Sequence, residues 1–177
     1  MQTILGSTGI IGRELAKELT KYTKSIRLVS RIPKKVNDSD ELFAADLKDK
    51  EQVTNAVKGS DVVYITAGLK YDTKTWEAEW PLVINNVIDA CKTCGSKLVF
   101  FDNVYAYGRV SGWMTEDTTM DPASEKGQVR KQIAEMIMNS VKLPVTLKTR
   151  LGWDENSIVI VEVAKLLESI GVQALTV

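Results

Sequence analysis

The chain has 177 residues, of which 44% are hydrophobic and 26% charged, proportions that fit a globular protein and exclude a disordered one. Lys+Arg and Asp+Glu number 23 each, so no overall positive charge attracts nucleic acid, and we expect none as a partner. No apolar run reaches the roughly 20 residues of a membrane span, and no signal-type segment opens the chain. We therefore expect no membrane partner, a cytoplasmic location and one domain over residues 1–177.

The predicted elements alternate between strand and helix. In chain order they are strands at 2–5, 25–30, 41–45, 61–65 and 97–101, with helices at 11–22, 50–57, 80–92 and 124–139. Residues 102–123 are predicted to be irregular, and Ser124 is predicted to cap the helix that follows. A strand at 144–148, a helix at 157–170 and a strand at 174–177 complete the chain. The pattern predicts an α/β protein with a Rossmann-like, doubly wound parallel sheet in three layers, and a ligand at the carboxyl ends of the strands.

A glycine-rich turn follows the first predicted strand and precedes an amphipathic helix. It reads Gly6-Ser7-Thr8-Gly9-Ile10-Ile11-Gly12. Glycines at this spacing allow a tight turn, close approach of the backbone to phosphate, and close packing of helix on strand. The helix N-terminus then faces the anion. The turn predicts a site for the pyrophosphate of a nicotinamide dinucleotide, with a purely structural turn as the alternative.

The end of the second strand bears on the choice of dinucleotide. An NAD site usually has Asp or Glu there to accept a hydrogen bond from the ribose 2′-hydroxyl, but this chain has Ser30 and Arg31. A guanidinium suits a 2′-phosphate instead, with Lys34 and Lys35 close by. We therefore expect NADP, with NAD as the alternative.

Further motifs come after the next strands, in the order Ala45-Asp46-Leu47, Thr66-Ala67-Gly68 and Val104-Tyr105-Ala106-Tyr107-Gly108. Together with the glycine turn they resemble the extended short-chain dehydrogenase/reductase family, and more narrowly an NAD-dependent epimerase/dehydratase, over residues 1–138. The resemblance implies that Asp46 contacts the adenine and that Ala67 and Gly68 line the ribose and nicotinamide side. The neighbouring Leu47 and Thr66 complete the expected cofactor site.

The catalytic positions depart from the family that the chain resembles. Its members have Ser or Thr after the fifth strand and Tyr-x-x-x-Lys on the next helix, where the tyrosine is the acid/base. Here the strand is followed by Asp102, and Lys126 and Arg130 occupy the tyrosine and lysine positions. The resemblance thus implies a cofactor site without the usual chemistry. Asp102, Tyr105, Lys126 and Arg130 are the alternative candidates for catalysis.

Residues 139–177 have a different resemblance. The run from Leu143 to Asp154 is similar to tRNA-dihydrouridine synthase, a flavin-dependent (β/α)8 barrel, and the likeness continues to Val177. It implies that Lys148 would touch FMN, but the family's catalytic cysteine belongs to parts of the barrel that this chain lacks. Two strands and one helix cannot enclose FMN, so we expect neither an FMN site nor synthase activity.

The β-α-β unit of the tail has the right-handed connection that a Rossmann sheet needs, so we expect it to complete the sheet. This makes the chain a chimera, natural or engineered. We favour a cofactor-binding domain with little or no turnover. An active NAD(P)-dependent reductase or epimerase with a non-standard catalytic set and a non-enzymatic scaffold stay open, and a homodimer would follow if the sheet has an uncovered edge.

The cysteines Cys91 and Cys94 form a C-x-x-C pair in a predicted helix. The chain has no histidine and no other cysteine, so we expect no metal site. We interpret the pair as two small helix residues, with a redox role as the alternative.

Overall fold

A computed structural model describes residues 1–112, 114 and 118–140, together with the backbone of 147–148 and 175–176. Its centre is a parallel five-stranded sheet in the order β3-β2-β1-β4-β5. The strands are β1 (Gln2–Leu5), β2 (Ile26–Ser30), β3 (Glu41–Ala44), β4 (Val62–Ile65) and β5 (Lys97–Phe100). The helices are α1 (Ile10–Leu19), α2 (Lys50–Val57), α3 (Thr73–Cys94) and α4 (Glu125–Ser140), with a short 3-10 helix at Val104–Tyr107. The prediction of a doubly wound parallel sheet is confirmed.

The strand order places the change of direction between β1 and β4. The chain winds outward from β1 through β2 to β3, then crosses back to β4 on the other side of β1. In open parallel sheets the crevice at such a point, beyond the carboxyl ends of the strands, is where ligands bind. Gly6 follows β1 and Thr66 follows β4, so the glycine turn and the Thr66-Ala67-Gly68 segment lie at this crevice.

Two apolar cores lie on opposite faces of the sheet. On one face Ala16 and Leu19 of α1 pack with the buried Ile4 and Leu28 of the central strands. On the other face the larger core joins α2, α3 and α4 to the strands, with the fully buried Trp80 and Ile133 in it. Helices on both faces of one parallel sheet give the three layers that the sequence predicts.

The start of α3 corrects the prediction of a helix beginning at residue 80. The helix begins at Thr73, where the Asp72 side chain accepts hydrogen bonds from the Thr75 backbone N–H (2.9 Å) and hydroxyl (2.8 Å). Pro81 lies inside the helix, where a proline normally indicates a helix start because it has no N–H to donate. The Asp72 cap and the burial of Trp76 and Trp80 on the large core outweigh that cost.

Two other predictions concern residues 102–124, and one of them is confirmed. Ser124 caps α4 as predicted, since its hydroxyl oxygen accepts a hydrogen bond from the Gly127 N–H at 3.1 Å. Residues 102–123, predicted to be irregular, contain the 3-10 helix, whose Asn103 cap accepts a hydrogen bond from the Tyr105 N–H at 3.0 Å.

The tail is described only at its two strands. β6 (Leu147–Lys148) and β7 (Leu175–Thr176) pair in parallel with each other, as the strands of a β-α-β unit do. They form a two-stranded sheet of their own in the described residues. The predicted helix at 157–170, most of the run similar to dihydrouridine synthase and the side chain of Lys148 lie outside the described residues. Completion of the five-stranded sheet by the tail stays a prediction.

Within the described residues, no helix is both long and apolar enough to cross a membrane. The same part of the chain contains no group of three or more His, Cys, Asp or Glu side chains arranged to hold a metal ion.

Candidate functional site

The glycine turn is pressed against the end of β4. Gly6 has a φ of +93°, in the region that favours glycine, and a Cβ on it would lie 2.4 Å from the Ala67 Cα. A Cβ on Gly12 would lie 2.8 Å from both the Gly6 carbonyl oxygen and the Thr66 Oγ1. A side chain at either position would therefore force the neighbouring backbone to move, and α1 begins close to the sheet.

Hydrogen bonds to the end of β2 and from the residue after β4 hold the glycine turn in place. The backbone N–H groups of Gly6 and Ser7 donate to the Val29 carbonyl at 2.9 and 3.1 Å, and the buried Ser7 hydroxyl donates to the same oxygen at 3.2 Å. From β4, the Thr66 hydroxyl donates to the carbonyls of Leu5 (3.3 Å) and Gly6 (3.4 Å). Among the predicted cofactor residues, Ser7, Gly12 and Thr66 thus support the turn from inside the protein.

The first turn of α1 is open to an anion. Gly9 is the N-cap, no side chain caps it, and the first turn has no acidic residue. A Cβ on Gly9 would lie at ordinary contact distances from the carbonyl oxygens of Gly6 (3.5 Å) and Thr66 (3.9 Å), so a methyl fits there without a clash. The N–H groups at a helix start lack partners inside the helix and favour negative charge. Ile10 and Ile11, which follow on the helix surface, are 81% and 41% exposed.

A groove of about 530 Å³ extends from this turn along the carboxyl ends of the strands. Eight of the predicted cofactor residues line it, and they come from the ends of β1, β2, β3 and β4. These eight are Gly6, Thr8, Gly9, Arg31, Asp46, Leu47, Ala67 and Gly68. The structure thus brings together residues that are far apart in the sequence.

Beside Arg31, the groove holds an unpartnered polar atom. The Ser30 Oγ is buried and has no hydrogen-bond partner among the described residues. A buried hydroxyl without a partner costs on the order of 1–3 kcal/mol unless a ligand or water supplies one.

Asp46 marks the other end of the groove. Its carboxylate accepts a hydrogen bond from the Lys48 N–H at 3.0 Å, and its own N–H donates to the Gln52 side chain at 2.9 Å. Lys48 also forms an ion pair with Glu79 of α3 at 3.3 Å. The turn after β3 is therefore held in a fixed shape, with Leu47 packed against the large core.

Helix α3 forms part of the groove wall, which the sequence did not predict. Thr75, Glu79 and Val83 line the groove at a spacing of four residues, which is one face of a helix. The four-residue spacing was the available signal in the sequence. It was not recognised because the helix was predicted to begin only at residue 80. The groove residues Ser30, Lys48, Leu69 and Lys70 were missed as well, although they adjoin motifs that the sequence analysis identified.

The four alternative catalytic candidates also lie close together, around Trp76 of α3 and the nearby Tyr71. Arg130 is 6% exposed, and its guanidinium carbon lies 4.7, 4.2 and 5.7 Å from the ring centres of Trp76, Trp80 and Phe100. Its Nη1 is 3.4 Å from an Asp102 carboxylate oxygen. Burial lowers the pKa of Arg130 and raises the pKa of Asp102, and the attraction between them opposes both shifts. Arg130 is thus fixed in an aromatic box and is no mobile substitute for a catalytic lysine.

Tyr105 and Lys126 meet at Tyr71, which the sequence analysis did not single out. Tyr105 hydrogen-bonds to the Tyr71 hydroxyl, which raises the pKa of Tyr105. The Lys126 ammonium lies 3.9 Å from the centre of the Tyr71 ring. Tyr71 comes directly after the groove residue Lys70, and that adjacency was the only available signal.

A family model for NAD(P)H-binding proteins matches residues 6–147, more than half of the chain. The chain belongs to the NAD(P)H-binding family. A second model, for dihydrouridine synthase, matches residues 125–177. The two ranges share residues 125–147, and the boundary that we expected after residue 138 lies inside this overlap.

Several curated tRNA-dihydrouridine synthases match part of the chain. The chain is 49% identical over 47 residues to tRNA-dihydrouridine synthase B of Pasteurella multocida, which is 27% of this chain and 14% of that protein. For the same enzyme of Vibrio parahaemolyticus, the identity is 49% over 45 residues, or 25% of this chain and 14% of that protein. The chain therefore spans about one seventh of the length of these relatives.

Solved structures match the larger part. A mutated uronate dehydrogenase has a TM-score of 0.70 and 19% identity, covering 85% of this chain and 58% of its own. UDP-glucuronic acid 4-epimerase from Bacillus cereus, in complex with NAD, has a TM-score of 0.70 and 19% identity, and the match covers 84% of this chain and 56% of that one. MoeE5 in complex with UDP-glucose and NAD has a TM-score of 0.68 and 22% identity, and the match covers 83% of this chain and 52% of that one. At these identities the likeness establishes the fold, and the chain spans little more than half of each neighbour.

Proposed function

We propose that the groove binds NADP(H), with its pyrophosphate against the open first turn of α1. The observation that carries this proposal is the cradle itself: a Cβ on Gly6 or Gly12 would overlap neighbouring backbone, and the first turn of α1 has neither a capping side chain nor an acidic residue. By the family resemblance, the adenine end would lie toward Asp46 and Leu47. The nicotinamide end would lie toward Gly68. Two of the structural neighbours are complexes with NAD, which supports dinucleotide binding by this fold.

The proposal of NADP over NAD depends on the end of β2. Arg31 lines the groove, and no carboxylate stands there to accept a hydrogen bond from a 2′-hydroxyl. The unpartnered Ser30 hydroxyl beside it can donate to a phosphate oxygen. Neither Lys34 nor Lys35 lines the groove, and Lys35 donates to the Asp38 carbonyl at 2.7 Å. Of the three cations at the end of β2, the preference therefore rests on Arg31.

Paired titrations test both parts of the proposal. NADPH and NADH are titrated into the protein while nicotinamide fluorescence is followed, and NADPH is expected to bind about tenfold more tightly, the effect of one charge-assisted contact. Arg31→Ala should remove the difference between the cofactors. Lys24→Ala, which removes the same charge from an exposed position before β2, is the matched control. Absence of binding at millimolar concentrations of either cofactor would contradict the proposal.

We further propose that the chain has little or no turnover. The Tyr-x-x-x-Lys pair is replaced, and the residue at the lysine position, Arg130, is enclosed by aromatic rings. Residues 139–177 are proposed to derive from a dihydrouridine synthase barrel, which supports a chimera and supplies no FMN site. The test is cofactor-dependent turnover of a broad panel of carbonyl and nucleotide-sugar compounds, together with the colour of the protein after incubation with FMN. Turnover or flavin uptake would contradict this part of the proposal.

A homodimer through the open side of β5 is proposed as the alternative to completion of the sheet by the tail. Among the described strands, β5 pairs with β4 alone. Val99 in this strand is 45% exposed, and Phe101 just after it is 60% exposed. An unpaired edge with apolar side chains is a site of association between chains. Light scattering coupled to gel filtration tests this: a monomer at micromolar concentration would contradict it.

A further inference from the structure

The loop between β2 and β3 carries the cation on which the proposed choice of dinucleotide depends. It spans residues 31–40 and contains neither helix nor strand. Arg31, its first residue, lines the groove, and the side chain of Arg31 is exposed. An exposed arginine at the start of an irregular loop has many conformations open to it unless the rest of the loop is held. The contacts at the other end of the loop supply that restraint.

A buried carboxylate lies at this other end. Asp40 is 4% exposed and directly precedes β3. Its Oδ2 accepts hydrogen bonds from the backbone N–H groups of Val36 at 3.0 Å and Asn37 at 2.7 Å. Its Oδ1 accepts a third from the Asn37 side-chain amide at 3.1 Å, and the Asp40 N–H donates back to the Asn37 carbonyl at the same distance. A carboxylate is stable in a buried position only with such donors, so Asp40 closes residues 36–40 into one fixed shape.

The closed segment, the Asp40 clamp (residues 36–40), is fastened to α1. The side-chain amide of Asn37 also donates to the Ala16 carbonyl at 3.0 Å, and Val36 packs against the core to which Ala16 belongs. Ala16 follows Gly9 by seven residues, which is about 10 Å along the helix axis. The Asp40 clamp is therefore fixed to the helix whose first turn is proposed to hold the pyrophosphate.

Both ends of the segment that contains Arg31 are thus held. Strand β2 ends at Ser30, directly before Arg31, and the Asp40 clamp begins at Val36. Residues 32–35 connect Arg31 to the clamp, and one of them is Pro33, whose ring restricts the backbone. Because so short a segment joins two fixed points, Arg31 has a limited range of positions relative to α1.

This restraint bears on NADP(H) because the pyrophosphate and the 2′-phosphate belong to one molecule. A protein that contacts the pyrophosphate at α1 and the 2′-phosphate at Arg31 must hold these two points at the separation that the ligand has. A loop that is ordered before binding avoids the cost of ordering it in the complex, which is about twofold to tenfold in affinity for each long side chain immobilised. NADH has no 2′-phosphate, so its affinity does not depend on the position of Arg31.

We propose that Asp40, together with Asn37, is a positioning residue for the choice of dinucleotide, because it holds the loop so that Arg31 meets the 2′-phosphate of NADP(H). This assignment rests on the proposed function of the groove. Asp40 does not line the groove and acts only through Arg31.

Titrations of NADPH and NADH into variants of the full chain, followed by nicotinamide fluorescence, test the assignment. Asp40→Ala removes all three acceptor contacts, so the preference for NADPH should fall from about tenfold to about threefold or less, with NADH affinity unchanged. Asn37→Ala keeps the backbone donors to Asp40 but loses the bond to α1, and it should lower the preference by a smaller factor. Asp40→Asn keeps an acceptor oxygen for the two backbone N–H groups and should restore most of the preference. Unfolding temperatures report whether each variant folds, and Asn37→Ala carries the test if Asp40→Ala does not.

Asp38→Ala is the matched control, since Asp38 is an exposed carboxylate of the same loop. Removing a negative charge near Arg31 favours a bound phosphate, so Asp38→Ala should leave the preference for NADPH unchanged or raise it slightly. The positioning role predicts the opposite sign for Asp40→Ala. A role in stability alone would lower the unfolding temperature and leave the ratio of the two affinities unchanged.

Hydrogen exchange in the absence of cofactor examines the Asp40 clamp separately. In Asp40→Ala the amide protons of Val36 and Asn37 lose their acceptor and should exchange about tenfold faster or more, whereas those of β2 should not change. Unchanged exchange at Val36 and Asn37 would contradict the clamp.

The assignment is overturned if the unaltered chain prefers NADPH and a folded Asp40→Ala keeps the whole preference. That result would leave the proposed function standing. An unaltered chain that binds neither cofactor contradicts the proposed function, and the positioning role with it. The hydrogen-exchange result would then still show whether Asp40 holds the loop.

Discussion

Replacing two glycines of the same turn by alanine should separate folding from cofactor binding. In Gly12→Ala, the new methyl would lie 2.8 Å from the Gly6 oxygen and 2.9 Å from the Ser7 Cα, both backbone atoms. Ordinary carbon contacts are about 3.5–4.0 Å, so the turn must move by about half an ångström or more. Overpacking of this kind costs about 1–3 kcal/mol, and the better helix propensity of alanine returns up to about 1 kcal/mol. We expect a net loss of about 1–2 kcal/mol.

In Gly9→Ala the methyl has room. Its closest neighbour would be the Gly6 oxygen at 3.5 Å, and the backbone at φ −70° and ψ 163° accepts any residue. We expect the free energy of unfolding to change by less than about 1 kcal/mol. The methyl would, however, occupy the space where phosphate approaches α1, so NADPH affinity should fall by about tenfold or more.

Thermal unfolding and NADPH titration of both variants are the assay. For a chain of this size, Gly12→Ala should lower Tm by about 2–8 °C, while Gly9→Ala should melt within a few degrees of the unaltered chain. The steric reasoning is wrong if Gly12→Ala is as stable as the unaltered chain. The placement of the phosphates is wrong if a folded Gly9→Ala binds NADPH normally.

Three more predictions concern buried groups. Arg130→Ala should lower the free energy of unfolding, measured by chemical denaturation, by about 3–5 kcal/mol, because it empties the aromatic box and leaves Asp102 without its partner. Arg130→Met keeps apolar contact with the rings and should lower it clearly less. Equal losses for the two variants would contradict the role of the box. Burial raises the pKa of Asp102 above 3.8, so the folded state holds the proton more tightly, and stability should fall as pH rises from 3.8 through the raised pKa. Asp102→Asn should abolish that component of the pH profile, and an unchanged profile would refute it. Burial raises the pKa of Cys91 to about 12, so maleimide at neutral pH should label Cys94 and spare Cys91 in the native protein, as peptide mass spectrometry can check.

The sheet was predictable because each strand is a short apolar run next to a strong turn signal. The five strands predicted before residue 102 are all present, with ends that differ by no more than one residue. The glycine turn was predictable for the same local reason, since its spacing and its place between a strand and a helix are both visible in the sequence.

The walls that α3 contributes were harder to predict, because Pro81 gives a local signal that the core overrides. The helix begins seven residues earlier, at Thr73, because Trp76 and Trp80 are buried there, and burial is a property of the whole fold. Tyr71 was missed for a related reason. Its partners Tyr105 and Lys126 are distant in the sequence, and only the packing of the 3-10 helix against α4 brings them to it.

A crystal structure of the protein grown with NADP tests the central claim most directly. The proposal predicts density for a pyrophosphate within hydrogen-bond distance of the backbone N–H groups at the start of α1, with the 2′-phosphate beside Arg31 and Ser30. NADP bound elsewhere, or in the groove with its phosphates turned away from Gly9, would contradict it.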